Sequence, residues 1–89
     1  MRFNALNREE AIALAGLEAV QQVEAEDCDF TNRVADSDFE EFSASVKFTD
    51  DRGNEKTLIV YYYQPKDVVK ECEDLSNLKW EPVCYEIVD

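Results

Sequence analysis

The stretch FSASVKFTDDRGNEKTLIVYYYQ, residues 42–64, decides the fold. Phe42, Ala44, Val46 and Phe48 alternate with Ser43, Ser45, Lys47 and Thr49. Successive side chains on a strand point to opposite faces, so this alternation gives one apolar and one polar face. DDRGN follows, with Gly53 and Asn54 both suited to positive φ in a turn. KTLIVYYYQ is then β-branched and aromatic, the composition of a strand. Two such runs around one short turn predict a β-hairpin. Leu58, Val60 and Tyr62 share the core face with Phe42, Val46 and Phe48, while Ile59, Tyr61 and Tyr63 fall on the other face. Two readings fit Tyr61 and Tyr63: further core beneath the helices, or an exposed aromatic surface able to supply binding energy to a protein contact.

Upstream, Asn7 precedes Arg8, Glu9 and Glu10. Asn7 is a good helix cap, Glu10 stands in the capping-box position, and acids in a first turn suit the helix dipole. Leu6, just before the cap, is placed to staple against Ala11. AIALAGLEAVQQVEAE is rich in helix formers, and a helix is expected from about residue 8 to about residue 24. Ile12, Ala15, Ala19 and Val23 make its buried face, widened by Leu14 and Leu17. Gly16 is either a small cost inside that helix or a point of close approach. Residues 25–38 have no clear period, and a short edge strand through Phe30 to Val34 and a loop fit them equally.

Downstream, Pro65 ends the strand and opens PKDVVKECEDL, a short second helix with Val68, Cys72 and Leu75 at i, i+4 and i+7. Trp80 and Pro82 lead into VCYEIV, a last strand. The expected architecture is α+β: an N-terminal helix, an antiparallel sheet of three to four strands around a central hairpin, and a short helix before the last strand. With 89 residues the chain makes one domain, 1–89.

The composition excludes much. The chain has 21 acidic and 9 basic residues, a net charge of −12, and no histidine. The commonest general base, which also activates Ser and Cys nucleophiles, is therefore missing. Two glycines cannot build a phosphate-cradling loop. Cys28, Cys72 and Cys84 form no CxxC pair, so no zinc site and no disulfide framework is expected. Cys72 and Cys84 read as small buried hydrophobes, and Cys28, among acids, as a poor nucleophile. DCDFTNRVADSD has Asp at the first and third positions of an EF-hand loop but Asn32, Ala35 and Asp38 at the sixth, ninth and twelfth. That leaves at most weak, nonspecific divalent binding. No catalytic residue, cofactor or metal is assigned. The negative field repels nucleic acid and anionic membranes and attracts basic protein surfaces. No run reaches the roughly 20 apolar residues of a membrane span, and MRFNALNREE lacks a secretory apolar region, so a cytoplasmic location is expected.

The acids are unevenly spread. Residues 24–41, EAEDCDFTNRVADSDFEE, hold eight carboxylates and one base, Arg33. Glu24, Glu26, Asp27, Asp29, Asp36, Asp38, Glu40 and Glu41 are the candidate partner-contact residues. In extended chain Asp36, Asp38 and Glu40 would project on one side about 6.6 Å apart, close to every second phosphate of a DNA strand at about 3.4 Å per phosphate. The plainer alternative is a solvated face that serves solubility.

In its small size, its mixed α and β elements and the acids gathered in EAEDCDF and ADSDFEE, the chain resembles the small acidic phage-encoded inhibitors of bacterial defence: anti-CRISPR proteins and anti-restriction DNA mimics. The resemblance is one of composition over the whole chain. It implies a non-enzymatic inhibitor acting in the bacterial host cytoplasm on the basic nucleic-acid-binding surface of a CRISPR effector or restriction enzyme. A small interaction or homodimeric assembly module, built through the tyrosine-rich or last strand, is the alternative.

Overall fold

The computed structural model describes residues 5–27, 29–36, 38–74 and 77–89. The chain runs through α1 (Arg8–Ala15), α2 (Leu17–Ala25), β1 (Asp29–Asp36), β2 (Phe39–Thr49), β3 (Glu55–Pro65), α3 (Lys66–Glu71) and β4 (Cys84–Val88). The strands form one antiparallel sheet in the order β1-β2-β3-β4. The fold is α+β, with the helices on one face of the sheet.

The expected hairpin is its centre. β2 and β3 pair without a register shift from Phe39↔Pro65 at the open end to Thr49↔Glu55 at the turn. Asp50 organises that turn: its Oδ1 accepts from the backbone N–H groups of Arg52 (2.9 Å) and Asn54 (2.8 Å). Those hydrogen bonds, Asn54 first, hold its carboxyl below the usual range. Gly53 takes φ +82°, open at low cost to glycine. Phe42, Val46, Leu58, Val60 and Tyr62 then line one face and bury against Ala11, Val20 and Val23 of the helices. Trp80 completes this side, meeting Phe42 and Tyr62 edge-on at centroid distances of 4.9 and 5.7 Å.

Asn7 caps α1 with the full reciprocal box: its side chain accepts from Glu10 N–H at 2.8 Å, and Glu10 accepts from Asn7 N–H at 3.0 Å. The expected single helix is nevertheless two. Gly16, at φ +95° and ψ +151°, breaks it, in a backbone region essentially restricted to glycine. No atom lies within 4 Å of where a Cβ would stand, so close approach is not the reason for glycine here. The expected stripe of Ile12, Ala15, Ala19 and Val23 still packs on the core across the break, but its widening by Leu14 and Leu17 fails. Ala11, Val20 and Val23 are buried, Ile12, Ala15 and Ala19 pack partly against the core, and Leu14 and Leu17 stand 60% and 48% exposed.

Residues 29–36 resolve in favour of the edge strand. β1 pairs with β2 at Asp29↔Ser43, Phe30↔Phe42, Val34↔Glu40 and Asp36↔Phe39, with two register shifts that bend it. Bulges of this kind break the period of two and blunt an exposed sheet edge. Cys28 and the side chains of Phe30 and Val34 lie outside the described part. α3 is shorter than the expected stripe needs: it ends at Glu71, Cys72 is its C-cap, and Leu75 lies outside the described residues. Val69 rather than Val68 packs on the core, and Val68 is exposed. Cys84 is buried as expected, while Cys72 is half-buried and its thiol donates to Asp74 C=O at 3.0 Å.

Candidate functional site

The candidate acids whose side chains are described do not share one surface. Glu24 sits near the end of α2, where the helix passes the start of α1 and the last strand. Arg8 grips it with two parallel bonds, Nε to Oε2 at 2.9 Å and Nη2 to Oε1 at 3.0 Å. The Tyr85 hydroxyl donates to the same Oε2 at 2.5 Å. The Arg8 bond, with help from Tyr85, holds the Glu24 carboxyl below its usual range, and the pair raises the guanidinium in turn. Burial, then the Glu24 carboxylate, pushes the Tyr85 phenol up, so it stays a protonated donor. The carboxylate at Glu24 is thus bound within the molecule rather than offered to a partner.

Glu41 lies on the sheet face away from the helices, directly across from Tyr63, and is only 3% exposed. It accepts the Tyr63 hydroxyl at 3.1 Å. Burial first, then Cys84 and Glu41, pushes the Tyr63 phenol upward. On the same face Tyr61, also buried, donates to Glu86 at 3.2 Å. Tyr61 is therefore interior and Tyr63 half-buried, and the exposed aromatic face is not formed. The reading of these tyrosines as core is right in their burial, but it placed the helices over them; the helices cover the opposite face.

The remaining candidates fall into two groups at opposite ends of β1. Glu26 and Asp27, both exposed, follow α2. Asp38 stands exposed in the β1–β2 turn, and Glu40 is half-exposed at the start of β2. Seven residue steps along β1, at about 3.3 Å each, separate the two groups by roughly 20 Å. Asp29 and Asp36 begin and end that strand, with their side chains outside the described part. The extended course expected through Asp36, Asp38 and Glu40 is not kept: the backbone reverses, and Asp36 pairs with Phe39.

The turn end gathers acids that sequence density does not reveal. Lys66 N–H donates to Asp38 C=O at 2.9 Å, setting the start of α3 beside the β1–β2 turn. Asp67 and Glu71 of α3 and Glu73 just beyond it are exposed at this end, interspersed with Lys66 and Lys70. The hairpin register carries the signal: pairing Phe39 with Pro65 puts Asp38 opposite Lys66.

Other sites are modest. A cleft of about 230 Å³ opens between α1 and the turn end of the hairpin, with Leu14, Phe48 and Ile87 on its apolar side and Asp50, Arg52 and Lys56 on its rim. Among the described residues no group of three or more acidic or Cys side chains is placed to hold a metal ion. No helix among them is long and apolar enough to cross a membrane. Comparison with protein-family models, curated proteins and solved structures finds no match for this chain.

Proposed function

We propose that this protein is a non-enzymatic acidic inhibitor that occupies the basic nucleic-acid-binding surface of a host defence protein, in the manner of an anti-CRISPR or anti-restriction DNA mimic. The observation that carries the reading is the excess of 21 acids over 9 bases on a chain of 89 residues. Its proposed contact groups are surface acids at the two ends of β1: Asp38, Glu40, Asp67, Glu71 and Glu73 at the turn end, and Glu26 and Asp27 at the other. Glu24 and Glu41 serve the fold instead. A nucleic-acid channel presents Lys and Arg whose counterions leave when phosphates bind, and carboxylates on a folded frame can form the same charge-assisted pairs. Long-range attraction speeds encounter, at the cost of sensitivity to salt. The site of action is then the bacterial cytoplasm.

The test is competition. Purified CRISPR effectors and restriction enzymes, loaded with labelled duplex DNA, are titrated with the protein at low and high salt. The expected result is DNA release from a target at low salt, weakening steadily as salt rises. A variant with Asp38→Asn, Glu40→Gln, Asp67→Asn and Glu71→Gln should compete at least about tenfold less well. A chain that displaces DNA from none of them, or a neutralised variant that competes as well as the native one, defeats the reading. A salt-resistant dimer with no affinity for basic proteins would point to the assembly module instead.

A further inference from the structure

Three features converge on the first helix. It is hinged: Gly16, in its glycine-restricted conformation, separates α1 from α2, and no side chain packs into the break. It is thinly attached: α1 has eight residues, too few to be stable alone, and only Ala11 among them is fully buried, with Ile12 and Ala15 partly so, whereas α2 buries Val20 and Val23. It is fastened at the end away from the hinge, and both fastenings meet at Tyr85. The backbone of Tyr85 exchanges two hydrogen bonds with Leu6, at 2.8 and 2.9 Å. Its phenol holds Glu24, which in turn holds Arg8 of α1 in a two-pronged grip.

We propose that α1 is a latched lid, hinged at Gly16 and fastened at Tyr85, which opens as a unit while α2 and the sheet stay folded. Beside it lies the cleft in which Ala13 and Leu14 of α1 face Phe48 and Ile87 of the sheet. Opening withdraws the α1 wall and leaves Phe48 and Ile87 as one side of an apolar groove. The latch is an ion pair with its guanidinium half exposed, so salt weakens it, while screening leaves the hydrophobic contacts of α2 no weaker. The inference does not depend on the proposed function.

Residue-resolved amide hydrogen exchange on the full chain tests it. In the native protein the amides of Leu6, Ala11 and Gly16 should exchange at least about tenfold faster than those of the β2–β3 ladder, as expected of a locally opening unit. Glu24→Ala, which leaves the Tyr85 hydroxyl without its acceptor, should speed them about a further tenfold with the ladder unchanged. Arg8→Gln, the milder variant, should speed them about two- to fivefold, and added salt should do the same in the native chain but not in the variant. Should the ladder and Val20 of α2 accelerate by the same factor as α1, the segment unfolds only with the whole molecule and the lid is refuted. Rates at α1 that ignore both Arg8→Gln and salt refute the latch. If Glu24→Ala does not fold, Arg8→Gln and the salt series decide alone.

Discussion

The hydroxyl of Tyr85 donates to Glu24 at 2.5 Å, tying the last strand to the end of the second helix. With Arg8 on the same carboxylate, one acid joins three elements that are remote in sequence. The folded state lowers the pKa of Glu24, so its contribution to stability is present above the unfolded value, about pH 4.3, and is lost as pH falls through the lower folded value. Acid titration of unfolding should therefore show Glu24→Gln losing less stability than the native chain below about pH 4.

Alkali acts on the phenols in the opposite sense. Tyr63 and Tyr85 are both raised in the fold, so their contribution is complete below the unfolded value of about pH 10 and is lost as pH rises further. Ultraviolet titration of the four tyrosines should show Tyr63 and Tyr85 ionising only as the protein unfolds. Tyr63→Phe and Tyr85→Phe should each remove one delayed phenol from that curve.

Glu41 tests whether a buried acid serves the fold or a partner. Replacing it with Ala leaves the half-buried Tyr63 hydroxyl without this acceptor and should cost about 1–3 kcal/mol, read from the midpoint of urea unfolding. At a pH and temperature where the variant stays folded, competition with DNA should be unchanged. A selective loss of competition would return Glu41 to the contact surface.

Gly16→Ala separates backbone cost from steric cost. The added methyl meets nothing within 4 Å, so any loss comes from forcing an alanine to φ +95°. About 1–3 kcal/mol of destabilisation is expected in denaturant titration.

Trp80 is the single tryptophan and reports on the packing of the loop before β4. Its edge contacts with Phe42 and Tyr62 should give a fluorescence change that tracks global unfolding. Trp80→Ala should lower stability by about 2–3 kcal/mol, measured by circular dichroism.

The hairpin was legible because its evidence is local: a period of two on each side of a turn whose residues suit the turn. The cap on α1 was legible for the same reason. The break at Gly16 was not, because a single glycine within a helical run costs only about 1 kcal/mol and can be absorbed. The β1 edge was hidden by its bulges, which interrupt the alternation that marks a strand. The acidic surface was legible only as a count. Density along the chain treats Glu24 and Asp27 alike, yet one is held by Arg8 and Tyr85 from far away in sequence while the other faces water. Equally, the pairing of Phe39 with Pro65 is what delivers Asp67 and Glu71 to the turn, and no local run announces it.

The uninterrupted β2–β3 ladder also implies an order of assembly. Thr49 and Glu55 meet across a turn that Asp50 organises, so closing the first rung sacrifices little chain freedom, and each later rung shortens the search for the next. Leu6 and Tyr85, near opposite ends of the described chain, must wait for everything between them to be in place. Substitutions near the Asp50 turn should alter how fast the molecule forms, and those at Leu6 how long it lasts once formed.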